Sequence, residues 1–347
     1  MKYTKLITKI ALGTIGLGLV LSIAGYIMGG KKDLENMTKE YVPKSIKETH
    51  ELGNFKNIDI DMDLDYIEII KSDSNKIELN YDEKMGKIDY KVDNGTLSIK
   101  KEKSNLHKKM NISVNFNFSS RPLNYLKIYV SDKSKLESIT ADLENGDISI
   151  DNINAKNLDL DNDNGDIEIK NTKSDKTTIN TENGNIKIGN SKLDGLCNID
   201  NKHGELLISN SKLKDLEAKL ENGNVEFEDL TLKTSSIINK NGDILGKNII
   251  SDKNNMSCEN GDINISGNIT GIYDITNKHG EVKIDSNNSK NLYDYYVKNK
   301  TGSIFINTEE FEESVKVDKD HENKLNVNSE NGDVVINFDK DSKDKTN

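Results

Sequence analysis

The sequence is poor in the residues that most often build a catalytic site. Its 347 residues contain no tryptophan, two cysteines, two prolines and a single arginine, Arg121. A site that cleaves polysaccharides needs several acids or bases in a groove, normally with aromatic or arginine side chains that hold the sugar. We therefore predict that the protein is not an enzyme and uses no cofactor.

The scarcity of cysteine argues against a zinc centre and a disulfide framework, because Cys197 and Cys258 form no Cys-x-x-Cys motif. The two residues lie in repeat units three apart in the chain. If the units stack at the strand spacing of about 4.8 Å, this separation exceeds the limit of about 7 Å between the Cα atoms of a disulfide. The sequence predicts two unpaired, buried thiols.

Apolar residues are also scarce, at 33% hydrophobic and 5% aromatic. This content is low for a globule but natural for a solenoid, whose core is narrow. Disorder is disfavoured because the apolar residues are strictly periodic. The net charge of −11 argues against a nucleic-acid partner, which would require clustered lysine and arginine, and leaves a cationic partner open.

Ten copies of a short turn organise the chain. The first clear copy is Glu-Asn-Gly-Asp-Ile-Ser-Ile at 144–150, and the last is Glu-Asn-Gly-Asp-Val-Val-Ile at 330–336. The turn glycines are Gly146, Gly165, Gly184, Gly204, Gly223, Gly242, Gly261, Gly280, Gly302 and Gly332. The first eight are spaced by 19 or 20 residues, which indicates a repeat architecture.

Apolar residues keep fixed positions around each glycine, at minus seven, minus five, plus two and plus four. Around Gly165 they are Leu158, Leu160, Ile167 and Ile169. This pattern predicts two short strands per unit, joined at the Asn-Gly turn and separated from the next unit by a polar loop.

Asn-Gly is also typical of a two-residue β-hairpin, so an antiparallel meander is the alternative to parallel coils. A hairpin would place Glu144 opposite Asp147 and Glu259 opposite Asp262, and like charges so placed are destabilising. In a parallel stack the position two before the glycine alternates in sign. Its residues are Glu182, Lys202, Glu221, Lys240, Glu259 and Lys278. The alternation favours parallel coils.

Asparagine forms two further columns that a parallel stack would align. Asn145, Asn164, Asn183, Asn222, Asn241, Asn260 and Asn331 precede the turn glycines, and Asn152, Asn171, Asn190, Asn210 and Asn248 lie six residues after theirs. Stacked amides can hydrogen-bond between coils. His203 and His279 replace asparagine in the first column. They lie four units apart, too far to share a metal, and we interpret them as turn variants.

The N-terminal segment differs from the rest of the chain. Residues 10–28 are uncharged and flanked by lysines, and a helix of this length, at about 1.5 Å per residue, matches the hydrocarbon thickness of a membrane. We predict a single membrane-spanning helix with the large domain outside, because the N-terminal flank carries no acidic residue. A cleaved signal peptide, with Ser22-Ile23-Ala24 as its cleavage site, is the alternative.

The predicted fold class is all-β, a single parallel β-solenoid of about 19 residues per coil with an N-terminal transmembrane helix. The segments are an N-terminal membrane anchor (1–30), a juxtamembrane linker (31–52), an irregular β region that caps the solenoid (53–137), the solenoid repeats (138–338) and a disordered polar tail (339–347). The last glycine spacings, 22 and 30 residues, carry insertions, and we expect residues 311–323 to form an outward loop or a terminal cap.

Two groups of residues are candidates for binding. The column after the glycine, with Asp243, Asp262 and Glu281, is a weak calcium candidate, although the double-glycine nonapeptide of calcium-binding solenoids is absent. Tyr293, Tyr295 and Tyr296 are the best candidates for a protein dock. Tyr293 and Tyr295 share the inward parity of Val297, so we predict that these two are buried.

The repeated x-Asn-Gly-Asp-Ile-x-Ile units, the hydrophobic N-terminal segment and the strand Leu-Lys-Ile-Tyr-Val at 126–130 resemble the bacterial putative-adhesin family of β-strand-repeat proteins, a domain of unknown function. The chain lacks the proline often found after that strand, where Ser131 and Asp132 stand. The resemblance implies an envelope-anchored solenoid with a role in adhesion or in sensing envelope stress. We predict a non-catalytic adhesin or binding scaffold that binds an envelope polymer or a protein, because a rigid rod with repeated polar faces suits multivalent weak binding. The alternative is a regulatory module that docks a membrane protein and reports envelope stress.

Overall fold

The computed structural model describes residues 44–62, 66–83, 86–101, 124–132 and 135–339. The predicted membrane span, 10–28, and residues 340–347 of the predicted tail lie outside these ranges. Within them there is no helix long and apolar enough to cross a membrane. All of the strands in these ranges belong to one compact unit.

Strands occupy most of the described chain. The first seven are β1 Ser45–Glu51, β2 Asn57–Asp61, β3 Tyr66–Ser72, β4 Lys76–Asp82, β5 Ile88–Asp93, β6 Thr96–Lys101 and β7 Tyr125–Ser131. The middle strands are β8 Leu136–Leu143, β9 Asp147–Asp151, β10 Asn154–Asn164, β11 Ile167–Lys170, β12 Lys173–Asn183, β13 Ile186–Gly189, β14 Lys192–His203, β15 Leu206–Ser209, β16 Lys212–Asn222, β17 Val225–Asn241, β18 Ile244–Asn260, β19 Ile263–Gly267, β20 Thr270–His279 and β21 Val282–Ser289. After a 3-10 turn, Lys290–Leu292, follow β22 Tyr293–Thr301, β23 Ile304–Ile306, β24 Glu309–Phe311, β25 Ser314–Val317, β26 Asn323–Asn331 and β27 Val334–Asp339.

The repeats stack as parallel coils, as predicted. Leu158 is paired with Thr177 and Ile167 with Ile186, each one repeat further along the chain. We call the sheet formed by the strands before each turn the pre-turn face and the sheet after it the post-turn face. The hairpin alternative is wrong, because the two strands that flank each repeat turn pair with neighbouring coils.

The core lies between these faces and contains the four predicted apolar columns. Around Gly165 all four side chains are at most 1% exposed. The predicted polar loop instead turns alternate side chains inward. Thr172, Ser191 and Ser211 are buried, and each hydroxyl donates to the carbonyl two residues earlier, at 2.7–2.8 Å. The sequence did not predict that these hydroxyls point inward, because their hydrogen-bond partners are backbone atoms, which leave no pattern in the sequence.

Glycine is required in the turn column because the turns stack backbone on backbone. At Gly223, φ is +142°, and a Cβ atom would lie 1.9 Å from the carbonyl oxygen of Gly204. The Gly223 N–H donates to the carbonyl of Asn241 at 2.9 Å. A side chain would therefore meet both strain and a clash.

The turn column of asparagines behaves as predicted, with amides that hydrogen-bond between coils. In the turn column Asn241 donates to the side-chain oxygen of Asn222 at 3.0 Å, and Nδ1 of His203 lies 3.1 Å from the Asn222 amide nitrogen. In the second column amides donate to carboxylates instead, as Asn171 does to Asp151 at 2.8 Å. The asparagines of this column adopt φ between +48° and +56° at positions 152, 171, 190, 210 and 248. This left-handed geometry favours asparagine among residues with a side chain.

A third asparagine column, absent from the prediction, lies buried three residues before the glycine. Its members are Asn162, Asn201, Asn239, Asn277 and Asn299. The amide of Asn239 donates to the carbonyls of Gly223 and Gly242, at 2.9 and 2.8 Å. One asparagine thus serves two turns, so the stack needs one in every second coil.

The alternating charges pair between coils. Lys240 lies 2.6 Å from Glu221 and Lys278 lies 3.0 Å from Glu259. Lys202 and Glu182 form the third pair. The predicted function of this column in specifying register is consistent with these contacts.

The last coil in the chain is not the last coil in the stack. Strands β26 and β27 pair on one side with β20 and β21 and on the other with β22 and β23. The final coil is therefore inserted between two coils that are consecutive in sequence. Beyond it, β25 and β24 pair antiparallel with β22 and β23, so residues 311–323 contribute to a terminal cap.

The N-terminal end has the same arrangement. Strands β2 and β3 form a coil between β8–β9 and the outer strands β6–β7. Antiparallel β5 and β4 cover these outer strands, and β1, which includes the end of the predicted linker, pairs with β4. Antiparallel cover at both ends blunts edges that would otherwise recruit another chain.

Candidate functional site

The three clustered tyrosines lie on β22, in the outermost coil of the C-terminal end. Tyr293 and Tyr295 are 0% and 4% exposed, whereas Tyr296 is 45% exposed on the pre-turn face. The prediction of burial is confirmed for the first two. The ring of Phe338 packs against both, with ring centres 5.0 and 6.1 Å away. Tyr296 is therefore presented to solvent by a strand whose other side is locked in the core.

Tyr296 borders a cavity of about 340 Å³, which we call the tyrosine groove. Three strands and the segment after β25 contribute to it. Its lining is Asp294, Tyr295, Tyr296, Lys316, Val317, Asp318, Lys324 and Asn326. Lys316 is paired directly with Tyr296 across the antiparallel ladder, and Asn326 is its partner on the parallel side. The groove exists because β26 is inserted beside β22.

A buried carboxylate fixes one wall of the groove. Asp294 is 6% exposed and accepts hydrogen bonds from the backbone N–H groups of Lys319 and His321, at 2.8 and 3.1 Å. Nδ1 of His321 lies 2.8 Å from the same carboxylate. The bond from Lys319 is the largest influence that lowers the pKa of Asp294 below its ordinary value. Asp294 thus acts as an anchor for the segment that leads into the inserted coil.

The charges at the groove are mixed. Lys316 lies 3.0 Å from Asp318, and this hydrogen bond raises the pKa of Lys316. Lys298 and Lys324 form no ion pair with the residues that the structure describes. Lys298 also borders a second cavity of about 440 Å³ on the other side of Tyr296. The site therefore combines an exposed aromatic ring with lysine donors on both sides.

The calcium candidates are stacked as the sequence predicts, but they have a structural partner. Oδ1 of Asp243 accepts the backbone N–H of Asp262 at 2.8 Å, and Oδ1 of Asp262 accepts that of Glu281 at 2.8 Å. Among the described residues no group of three or more His, Cys, Asp or Glu side chains is arranged to hold a metal ion. The bonds between coils account for this column without a ligand.

The two thiols are unsuited to nucleophilic chemistry. Cys197 and Cys258 are both free and buried, as predicted. Burial raises the pKa of the Cys197 thiol to about 12 and that of Cys258 to about 11, so both are protonated at neutral pH, whereas the thiolate is the nucleophile. Cys258 occupies the buried asparagine column, with its sulfur 3.4 Å from the carbonyl oxygen of Gly242.

Sequence reasoning identified Tyr296 but not the residues around it. Asp294, Lys316 and Lys324 lie on three strands that meet only because of the inserted coil. One signal could have found the insertion. Placing Glu330 between Lys278 and Lys300 continues the charge alternation, whereas chain order would set the two lysines side by side.

Comparison with known proteins gives a family and several solved structures with low sequence identity. A model of the Toastrack DUF4097 family matches residues 55–218 and 195–337. A solved putative lipid binding protein from Parabacteroides distasonis is 16% identical, covers 86% of this chain and 97% of its own, and has a TM-score of 0.44. A putative adhesin from Parabacteroides merdae is 12% identical over 86% of this chain and 97% of its own, with a TM-score of 0.39. No curated protein matches.

Proposed function

This chain belongs to the Toastrack DUF4097 family, and we propose that it is a non-catalytic binding module of the cell envelope whose contact site is the tyrosine groove. The observation that supports this proposal most is Tyr296, a large aromatic side chain left 45% exposed beside a cavity. Exposed aromatic rings with nearby polar groups are typical of binding sites, since the ring offers contact area at low cost in conformational entropy.

The ligand that suits this site is an envelope polymer with ring-shaped units and acidic or hydroxyl oxygens. The ring of Tyr296 offers a flat apolar surface for such a unit. Lys298 and Lys324 supply ammonium donors without an internal carboxylate partner in the described structure. A proteinaceous partner in a regulatory module is the second candidate, favoured by the same exposed ring.

The location proposed for the module is the outer side of the cell membrane, with residues 10–28 as a single-pass anchor. The uncharged run in this segment supports the proposal. Protease treatment of intact cells, followed by detection of a C-terminal tag, tests it. Loss of the tag while a cytoplasmic control protein survives is the expected result. Survival of the tag would place the domain elsewhere.

The binding proposal is tested by sedimentation with purified cell-wall polymer. We expect Tyr296→Ala to weaken binding about tenfold, the effect of losing roughly 1.4 kcal/mol of contact energy. Ile238→Ala is the matched control, because Ile238 is a 44% exposed apolar residue on the same pre-turn face, away from the groove. Equal binding by both variants would reject the groove. Retention of a membrane protein instead of the polymer would favour the regulatory role.

A further inference from the structure

The sequence contains eight Asn-Gly dipeptides, at Asn94, Asn145, Asn164, Asn183, Asn222, Asn241, Asn260 and Asn331. Such dipeptides carry a built-in reactivity. The backbone nitrogen of the glycine can attack the side-chain carbonyl carbon of the asparagine, and glycine has no side chain to obstruct the approach. The fold places these eight sites in two very different environments.

In seven of the sites the attacking nitrogen is already engaged. The turn glycines Gly146, Gly165, Gly184, Gly223, Gly242, Gly261 and Gly332 each donate their backbone N–H to a carbonyl of the adjacent coil, at 2.8–3.0 Å. For the nitrogen to attack, it must lose this proton and turn out of the amide plane. Each stacked turn would have to break a bond between coils first.

In six of the seven stacked turns, all except that of Asn145, the asparagine side chain is also hydrogen-bonded to the adjacent coil. The amide of Asn164 donates to the carbonyl of Glu144 at 2.9 Å and its oxygen accepts from Asn183 at 3.0 Å. The amide of Asn241 bonds in the same way to Glu221 and accepts from Asn260. These bonds tie the amide to the adjacent coils.

Asn94 and Gly95 form the turn between β5 and β6, outside the stack of repeat turns. Both have positive φ, +49° and +77°, as in the tight turn of a two-residue hairpin. Asn94 is exposed, and nothing lies within 4 Å of the place where a Cβ of Gly95 would be. Within the described ranges, neither the Asn94 side chain nor the Gly95 N–H forms a hydrogen bond.

We propose that Asn94 is a site of spontaneous deamidation and that the stack protects the other seven Asn-Gly sites. The Gly95 nitrogen loses its proton to solvent base and bonds to Cγ of Asn94, and the C–N bond of the side-chain amide breaks to release ammonia. Water then opens the resulting succinimide ring at either carbonyl. The products are aspartate and isoaspartate, and no oxidant or metal takes part.

The modification would act on the N-terminal cap, which is formed by the antiparallel strands β1, β4 and β5 and the outer strands β6 and β7 that they cover. The carbonyl of Gly95 accepts the N–H groups of Lys56 and Asn57, at 2.8 and 3.1 Å, where β2 begins. Isoaspartate adds a methylene group to the main chain and would displace this carbonyl. The proposal is independent of the ligand of the tyrosine groove.

The test is peptide mapping by mass spectrometry after the folded, full-length protein is incubated in mildly alkaline buffer. We expect Asn94 to deamidate about tenfold faster than any stacked site, the factor of one hydrogen bond of ordinary net strength. A parallel incubation in urea should bring all eight rates together, because the flanking sequences are similar.

Three outcomes would overturn the proposal. They are an intact Asn94 in the folded protein, a stacked site that reacts as fast as Asn94, and a rate difference that persists in urea. Asn94→Gln, which should abolish the fast reaction in the folded protein, verifies the assignment of the modified peptide. Asn94→Asp supplies the reference product.

Discussion

The middle of the stack and its two ends are built by different rules of connection. From β8 to β21 successive coils lie side by side in the order in which they follow one another in the chain. At each end a coil is inserted between two others, β2–β3 at one and β26–β27 at the other. Stack order therefore does not require chain order.

The same columns nevertheless run through both regions. A Cβ at Gly332, in the inserted coil, would lie 2.1 Å from the Gly280 carbonyl oxygen, much as one at Gly223 would lie 1.9 Å from that of Gly204. In stack order the buried column continues as Asn277, Ser329 and Asn299, which restores one asparagine in every second coil. A coil is therefore placed beside the coils whose turn glycine and buried polar residue match its own, wherever they lie in the chain.

The inserted arrangement also protects the coils that would fray first. A terminal coil normally has one neighbour, whereas each inserted coil here has two. The outermost coils come from inside the chain and are covered by antiparallel strands. Capping of this kind is what repeat proteins require for solubility.

The largest effect is expected from the turn glycines. Gly223→Ala in the middle and Gly332→Ala in the inserted coil should each lower the free energy of unfolding by about 4 kcal/mol, from strain at positive φ and a clash with backbone. Urea unfolding measures both. Gly53→Ala, with nothing within 4 Å, is the control and should be neutral. A harmless Gly332→Ala would mean that the end is packed more loosely than the middle.

The insertion itself can be tested with an engineered disulfide. Thr276 and Asn328 are paired in β20 and β26, so their Cα separation of about 4.8 Å suits a bridge. Thr276→Cys with Asn328→Cys should form a disulfide that stabilises the protein by about 3 kcal/mol against urea. Thr276→Cys with Lys298→Cys, the pair that chain order would favour, should stay reduced. The reverse result would contradict the stack order.

The buried asparagines should matter next. Asn239→Leu leaves the carbonyls of Gly223 and Gly242 without this donor and should cost about 2 kcal/mol of unfolding free energy. Thr181→Val is the control in the same column, because the buried Thr181 hydroxyl has no hydrogen-bond partner among the residues that the structure describes. If the two variants were equally stable in urea, the hydrogen bonds from Asn239 to two turns would not stabilise the stack.

The N-terminal cap should respond to acid through Glu78. Tyr125 and Tyr129 donate to this carboxylate at 2.7 and 3.2 Å, and the bond from Tyr125 is the main cause of its lowered pKa. Because the pKa of Glu78 is lower in the folded than in the unfolded protein, ionised Glu78 stabilises the fold at pH values above its unfolded pKa near 4.5. This stabilisation is lost as the pH falls through the folded pKa. The stability gap between wild type and Glu78→Gln should therefore close in acid. A gap of constant size would exclude this linkage, and Glu51→Gln, on the exposed end of β1, controls for loss of charge.

The smallest effect is expected from the exposed charge column. Lys240→Glu removes the ion pair with Glu221 and places three acids in adjacent coils, so the unfolding midpoint should fall, and less so at high salt. Lys343→Glu, in the tail, makes the same change of charge and should leave the midpoint unchanged. Equal shifts would mean that net charge, and not the column, is responsible.

Much of the middle of the stack could be predicted from sequence because its neighbours are one repeat apart in the chain. Glu221 and Lys240 reveal their contact by their spacing, and so do Asn222 and Asn241. The buried hydroxyl of Thr172 and the buried amide of Asn239 were missed, because polar residues facing inward are indistinguishable from loop residues until their backbone partners are known.

The candidate site was predicted only in part, for a related reason. The alternation of side chains along β22 was enough to predict that Tyr295 is buried and Tyr296 is not. The anchoring of His321 by Asp294 joins residues 27 apart across an irregular segment, and no repeat spacing describes it. The groove could therefore not be predicted without knowing where the final coil lies in the stack.

Repeat spacing, the identity of the turn glycines and the alternating charges are properties of the amino-acid sequence alone, and they specify parallel coils with a defined register. The order of the coils at the two ends, and with it the groove beside Tyr296, depends on the folded structure. The physical reason is that a column residue recognises any coil with the right partner at the strand spacing. The neighbour of each coil is the one that forms the correct contacts in all columns at once, and it need not be the next coil in the chain.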